Sequence, residues 1–369
     1  MNPSLEQFGL RVMSGEARGV GPMVLRGALA LVEPLYAGAM VARNRAYDTG
    51  MLKRHALPRP VVSVGNLTAG GTGKTPMVRW LAEQLIARGK RPAVLLRGYG
   101  KPGAMISDEQ QLLQGCLDGV AVVAHPDRSA GAAAAIERQP QTDLFVLDDA
   151  FQHRKVARNF DLVLVNAAEP FGFGHVHPRG LLREPIGGLA RAHAIILTRC
   201  DAVETTELQR IEGVIRSITP DLPLLRTVHA LTGLRRATTP ASAPADEEMA
   251  TLRGRTFFSF SGIGSPRSFH EQLVRAGARP VGSRAFPDHH EYTEADVAAL
   301  SRDATAAGAE LLLTTEKDWV KLAQLSPARE CSPPILRVEV RIRFQQAADE
   351  PKLLEMIEQR LARAPQRVT

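Results

Sequence analysis

The chain has 369 residues, 44% of them hydrophobic, and 46 Lys and Arg against 39 Asp and Glu give a net charge of +7. This is too long for one small core and suits two α/β-sized domains, while the basic balance favours anionic partners: phosphates, nucleic acid or an acidic membrane face. Cys116, Cys200 and Cys331 are too far apart in sequence for a disulfide framework or a structural zinc site, and they read as a reducing cytosolic setting.

The first 23 residues carry no interpretable motif and read as an extension. Glu6, Arg11, Glu16 and Arg18 interrupt any signal-peptide pattern, so export is not expected. Gly27 to Ala42 is the longest apolar stretch; it holds Glu33 and Pro34 and falls short of the roughly 20 residues that a spanning helix needs. Basic residues Arg43, Arg45, Lys53 and Arg54 follow it, which fits a helix lying in the membrane interface on the cytoplasmic side. A helix packed on the protein's own core fits the same composition.

Apolar runs then recur as short buried strands at Val61–Val64, Ala93–Leu96, Val120–Val123, Leu144–Leu147, Leu162–Val165, Ala194–Leu197, Thr256–Phe260, Leu311–Leu313 and Ile335–Val340. Helix-length segments such as Met77–Arg88 and Thr205–Ile218 separate them. That alternation predicts an α/β fold with parallel sheets and crossover helices. Thr238 to Glu248, rich in Pro, Ala and small polar residues, reads as an exposed loop. The expected division is residues 1–50 as extension and interface helix, 51–160 as a nucleotide-binding core, and 161–369 as a second α/β domain.

Between the first strand and the first of these helices lies "NLTAGGTGKTP", Asn66 to Pro76. A strand, a glycine-rich turn and a helix present backbone N–H groups and a helix N-terminus to phosphate. Gly70, Gly71, Thr72 and Gly73 would cradle it, Lys74 would reach the terminal phosphates, and the Thr75 hydroxyl would bind Mg²⁺. The usual pattern has a glycine five residues before Gly73, where this chain has Thr68. The strand "LFVLDD" ends in Asp148 and Asp149, carboxylates placed to hold Mg²⁺ or its waters at a sheet's C-terminal edge.

Five segments, "SVGNLTAGGTGKTP", "LDDAFQHR", "GLLREP", "FPDHHEYT" and "TTEKDWVKL", resemble in sequence and order the tetraacyldisaccharide 4′-kinases of lipid A synthesis, from about Arg26 to the last strand. Thr68 is shared with that family. The resemblance implies ATP and Mg²⁺, transfer of the γ-phosphoryl group to the 4′-hydroxyl of a tetraacyldisaccharide 1-phosphate, and peripheral attachment to the cytoplasmic face of the inner membrane. It also implies Arg183 and Glu184 near the phosphates and metal, and Asp108 with His289 as the base pair for the acceptor hydroxyl. Because those two lie far apart in sequence, two domains are expected to close for them to meet. Gln152 and His153 should line the nucleotide cleft. Arg97, Tyr99 and Lys101 are candidates for the acceptor's 1-phosphate or sugar, with a plain turn the other reading. The glycines of "FSFSGIGSPRSF" mark a turn, structural or near the nucleotide. No role is derived for Glu316 or Lys317, for which mutual pairing is the plain reading.

Two other readings share some of these features. A nucleotide-hydrolysing switch needs the same loop and aspartates; "TRCD" at Thr198 to Asp201 lacks the Asn and Lys of a guanine-reading element. A nucleic-acid binder would suit the charge, but 5% aromatic content offers few stacking platforms, so no nucleic-acid partner is expected.

Overall fold

The computed structural model describes residues 3–98 and 107–363. They form two compact units, one of residues 3–97, 125–228 and 343–363, the other of residues 98, 107–124 and 229–342.

The opening residues are helical, contrary to the featureless extension expected. Helix α1 (Pro3–Met13) leads to α2 (Val20–Asp48), and the Arg26 guanidinium donates to the Ala17 carbonyl at 3.1 Å beside buried Val12. The apolar stretch that looked too short for a bilayer lies within this 29-residue helix, which is long and apolar enough by length and composition to cross a membrane. Pro34 does not end it. Proline removes a single backbone donor, and the helix continues on contacts made by its polar face.

Strand β1 (Val61–Asn66), helix α3 (Lys74–Ala87) and strand β2 (Pro92–Leu96) follow. The chain then contributes α4 (Asp108–Cys116) and β3 (Val122–Ala124) to the second unit and returns through α5 (Arg128–Arg138) to β4 (Leu144–Asp148), β5 (Phe160–Asn166), β6 (Ala194–Thr198) and α6 (Thr205–Ile218). In the first unit β6, β5, β1, β4 and β2 pair in that order, all parallel, and their residues are buried on both faces as the continuous apolar runs require. The boundary expected near residue 160 therefore fails. Phe160 pairs with Val62 and Leu164 with Asn66, so β5 belongs to the same sheet as the phosphate loop.

Strand β7 (Leu224–Arg236) begins in the first unit and ends in the second, where β8 (Glu247–Glu248) pairs antiparallel with it. Then come β9 (Thr256–Ser261), α7 (Pro266–Arg275), β10 (Arg279–Ala285), α8 (Glu294–Ala306), β11 (Leu311–Thr315), α9 (Glu316–Leu322), α10 (Ser326–Arg329), β12 (Ile335–Phe344) and α11 (Asp349–Ala362). The second unit's sheet runs β10, β9, β11, β12 in parallel. Neither β7 nor β10 is visible as an apolar run, because "LLRTVHALTGLRR" and "RPVGSRA" carry charge among their apolar residues.

Gly65 marks a close approach. A Cβ there would lie 2.6 Å from Phe151 Cβ and 2.8 Å from its backbone nitrogen, so β1 tolerates no side chain where it passes the turn after the twin aspartates. A Cβ on Gly213, within α6, would meet nothing within 4 Å. Gly65→Ala should lower stability by about 1–3 kcal/mol through overpacking. Gly213→Ala should raise it by up to about 1 kcal/mol through helix propensity. Urea unfolding midpoints of the two variants should move in opposite directions.

Candidate active site

In the first unit, β1 delivers buried Asn66 to the mouth of the phosphate loop. The loop turns through Gly70 and Gly73, both at positive φ, and α3 begins at Lys74, three residues earlier than its apolar pattern indicates. Two neighbours hold the loop. The Ala69 N–H donates to the Leu181 carbonyl and the Arg183 N–H to the Leu67 carbonyl, each at 2.7 Å. The Thr198 hydroxyl donates to the Thr72 carbonyl at 3.0 Å. The "GLLREP" segment is thus stitched to the phosphate loop through its backbone, and "TRCD" braces the loop with its threonine.

Lys74 Nζ lies 3.2 Å from Asn66 Oδ1 and 3.6 Å from Asp149 Oδ1. Arg183 Nη1 reaches the same Asp149 oxygen at 2.7 Å. Burial alone would raise the Asp149 carboxyl, but Lys74 and Arg183 outweigh it and hold it below the ordinary carboxylate range. Asp149 also sits at φ 49, a left-handed conformation costing about 1 kcal/mol or more that surrounding contacts must sustain. The cluster is a pair of cations aligned by one carboxylate at the end of β4. Asp148, the preceding residue, is buried at the same strand end, and Thr75 lies partly buried in the first turn of α3.

Glu184 is fully buried. Arg191 Nη2 lies 2.8 Å from both its oxygens, Asn44 Nδ2 donates to Oε2 at 2.6 Å, and Gln152 Nε2 to Oε1 at 2.9 Å. Two donors on each oxygen fill the carboxylate's acceptor sites, so the expected metal-ligand role does not fit this arrangement. Gln152 also donates to the Asn66 carbonyl at 2.9 Å and so ties Glu184 to the root of the phosphate loop. His153 lines a cavity of about 340 Å³ with His55, Asp127, Arg128 and Lys155. Burial, reinforced by Arg128 and Arg158, lowers its pKa to about 4 and keeps the imidazole neutral. Tyr99 and Lys101 lie outside the described residues; Arg97 is among the cations that lower Asp149.

Asp108 and His289 meet within the second unit, against the expectation that two domains must close to join them, because residues 107–124 fold into that unit. His289 Nδ1 lies 2.9 Å from Asp108 Oδ2. Lys321, mostly buried on α9, places Nζ 2.9 Å from the same oxygen and donates to the His290 carbonyl at 3.0 Å. Four residues before it, one helical turn away, Lys317 lies 3.3 Å from Asp288 Oδ1 and 3.8 Å from Glu109 Oε1. Glu316 turns the other way, 3.6 Å from Arg235, so Glu316 and Lys317 do not hold one another. Adjacent helical residues face different directions.

His289 takes φ 60, and its loop is pinned from below. Asp318 Oδ1 accepts from the Gly262 N–H at 2.9 Å and the Tyr292 hydroxyl at 3.0 Å, and the His289 N–H reaches the Gly262 carbonyl at 3.2 Å. The turn of "FSFSGIGSPRSF" is therefore structural at Gly262. Lys321, Asp318, Asn44, Asn66 and Arg191 were not singled out by sequence. The four-residue spacing of Lys317 and Lys321 is the one signal that was available there.

The family model for tetraacyldisaccharide-1-P 4′-kinases matches residues 25–362. The chain belongs to that family. Tetraacyldisaccharide 4′-kinases from Anaeromyxobacter sp. (strain Fw109-5) and Pelobacter propionicus are each 38% identical, the first over 96% of both chains and the second over 91% of this chain and 93% of its own. A crystal structure of LpxK from Aquifex aeolicus in complex with ATP superposes with a TM-score of 0.69 at 28% identity, covering 91% of this chain and 99% of that one. As a tetraacyldisaccharide 4′-kinase the protein is a phosphotransferase, and the α/β class read from its sequence holds.

The Asp108–His289 pair titrates in opposite senses. The hydrogen bond that His289 donates to Asp108 raises the imidazole above its ordinary value against the effect of burial. That contribution to stability is complete below the unfolded pKa and is lost as pH rises through the folded one. Burial would raise Asp108, but the bonds from His289 and Lys321 bring it below its ordinary value; its contribution is present above the unfolded pKa and lost as pH falls through the folded one. NMR titration should find His289 above its ordinary pKa in the parent and lower in Asp108→Asn. A His289 pKa in that variant as high as the parent's would rule out the pairing.

Proposed function

We propose that this kinase transfers the γ-phosphoryl group of ATP to the 4′-hydroxyl of tetraacyldisaccharide 1-phosphate, with Lys74 and Arg183 neutralising the charge that develops on the transferring oxygens. The single observation carrying these assignments is the convergence of both cations on Asp149 beside the phosphate loop. Asp149 keeps them aligned at a fixed spacing, and ATP phosphates would take over their charge. Catalysis of phosphoryl transfer consists mainly of such positioning and electrostatic stabilisation.

The loop's donors fit Mg²⁺. Thr75 and Asp148 offer hard oxygen ligands, and this ion takes few protein ligands because phosphate oxygens and water fill its remaining positions. When bound it would neutralise phosphate charge. Glu184 acts one step removed, keeping Gln152 and Arg191 in place around the loop.

Asp108 receives the proton of the acceptor hydroxyl as the new P–O bond forms and the β,γ-bridge bond of ATP breaks to release ADP. Lys321 and His289 both engage Oδ2, which among the described residues leaves Oδ1 for the hydroxyl and keeps the carboxylate ionised at neutral pH.

The acceptor is a lipid, and α2 supplies a surface for it. Val20, Met23, Val24, Leu31, Leu35 and Val41 are exposed along one side, each worth about 1.5–3 kcal/mol when removed from water. Glu33 accepts from the Val176 N–H at 3.1 Å on the opposite side, so α2 lies partly against protein; the proposed mode is a helix lying sideways in the cytoplasmic leaflet of the inner membrane.

Incubating vesicles that contain the acceptor lipid with γ-³²P-ATP and Mg²⁺ should produce labelled lipid. Lys74→Ala and Asp149→Ala should each lower the rate about 10²-fold or more. Free phosphate released equally with and without acceptor would instead make the protein a nucleotide-hydrolysing switch. Lys321→Met should raise the Asp108 pKa and move the acid limb of the rate–pH profile upward, whereas an unmoved limb would separate Lys321 from the base. Leu31→Ser with Leu35→Ser should reduce co-sedimentation with anionic vesicles; undiminished retention would refute the interfacial assignment.

A further inference from the structure

We propose that the C-terminal half of α2 is part of the phosphoryl-transfer machinery, with Tyr36 and Asn44 as positioning residues for Arg183 and Glu184. A helix serving only as an anchor needs one apolar face and a firm attachment to the protein. The inward face of α2 is more specific than that. The Tyr36 hydroxyl donates to the Arg183 carbonyl at 2.9 Å, Asn44 Nδ2 to Glu184 Oε2 at 2.6 Å, and Arg43 Nη2 to the Gln152 carbonyl at 3.1 Å. Arg154, on the turn after the twin aspartates, donates back to the Asn44 carbonyl at 2.7 Å and pairs with Asp48 at 2.5 Å.

These bonds end on the "DDAFQHR" and "LREP" segments that carry the phosphate-facing groups. Arg183 is held at both ends, its carbonyl by Tyr36 and its guanidinium by Asp149. Glu184 depends on Asn44 for one of its four contacts, and a fully buried carboxylate that loses a donor must find another by moving. The neighbours free to answer such a movement are Gln152 and Arg191, and Gln152 leads directly to Asn66 and from there to Lys74. Glu33, Tyr36, Asn44 and Asp48 are spaced so that they share one side of the helix, while Leu31 and Leu35 are exposed to solvent. One rigid element thus carries both the proposed lipid-facing surface and the supports of the nucleotide site.

The inference rests on Arg183 acting upon the transferring phosphoryl group, and the experiment keeps the two apart. In the full-length chain, Asn44→Leu, Tyr36→Phe and Arg183→Ala are compared for ³²P transfer to tetraacyldisaccharide 1-phosphate in detergent micelles and for retention on phosphatidylglycerol vesicles. Asn44→Leu should lose about tenfold in kcat, the scale of a small misplacement of reacting groups. Tyr36→Phe, which deletes one hydroxyl and should fold normally, should lose several-fold in kcat by the same cause. KM for the lipid and vesicle retention should not change. Parental kcat in both, beside an inactive Arg183→Ala, would overturn this inference alone. An active Arg183→Ala would overturn the reading beneath it. Loss of rate in proportion to loss of vesicle retention would make the helix an anchor and nothing more.

Discussion

A carboxylate removed entirely from water has to be neutralised by its neighbours, and Glu184 imposes that requirement on the first unit. An unpaired charge there would cost several kcal/mol, so Arg191, Gln152 and Asn44 are drawn in around it from three different parts of the chain. Each of these brings its own segment. Gln152 brings the turn after the twin aspartates, Asn44 brings α2, and Glu184 itself brings the backbone that is stitched to the phosphate loop. Asp149 is satisfied in the same way by Lys74 and Arg183, which are the cations a phosphate would need. The electrostatics that hold this region together and the electrostatics that would receive ATP involve adjacent residues of one network.

The second unit solves a similar problem with a helix. Asp318 is buried, and burial raises its carboxyl, yet it accepts from Thr315, Gly262 and Tyr292 and so pins the loop on which His289 adopts its left-handed backbone. One turn further along α9, Lys321 neutralises Asp108. The motif "TTEKDWVKL" therefore has a division of labour: Asp318 supports the histidine loop, Lys317 and Lys321 face the acidic groups, and Glu316 points back to Arg235. Sequence alone assigns no role to Glu316 or Lys317, because adjacent charges in a helix look like a pair until their directions are known.

Much of the first unit was legible because local rules dictate it. Runs such as Val61–Val64 and Leu162–Val165 are too apolar for a half-exposed strand, and the observed parallel sheet buries them on both faces. The turn into α3 was legible because Gly-rich turns before a helix serve few other ends. The domain boundary near 160 was not, since nothing in Phe160 to Asn166 states which strand it will pair with; hydrogen bonding to β1 decides that. Strand β7 was missed because its charged residues break the apolar run, although Arg235 is buried against Glu339 at 2.7 Å.

By itself the sequence determined the α/β class, the phosphate loop, the paired aspartates and the family resemblance, all of which depend on residue type and short-range order. Only the tertiary structure decided that Asp108 and His289 share one unit, that Glu184 is enclosed by donors, and that α2 reaches Arg183 and Glu184. Apart from Arg191, seven residues from Glu184, those facts concern pairings between residues 32 to 181 positions apart. Contacts at such separations are chosen by packing and by the cost of leaving a buried charge unmatched, and neither is written in any one segment.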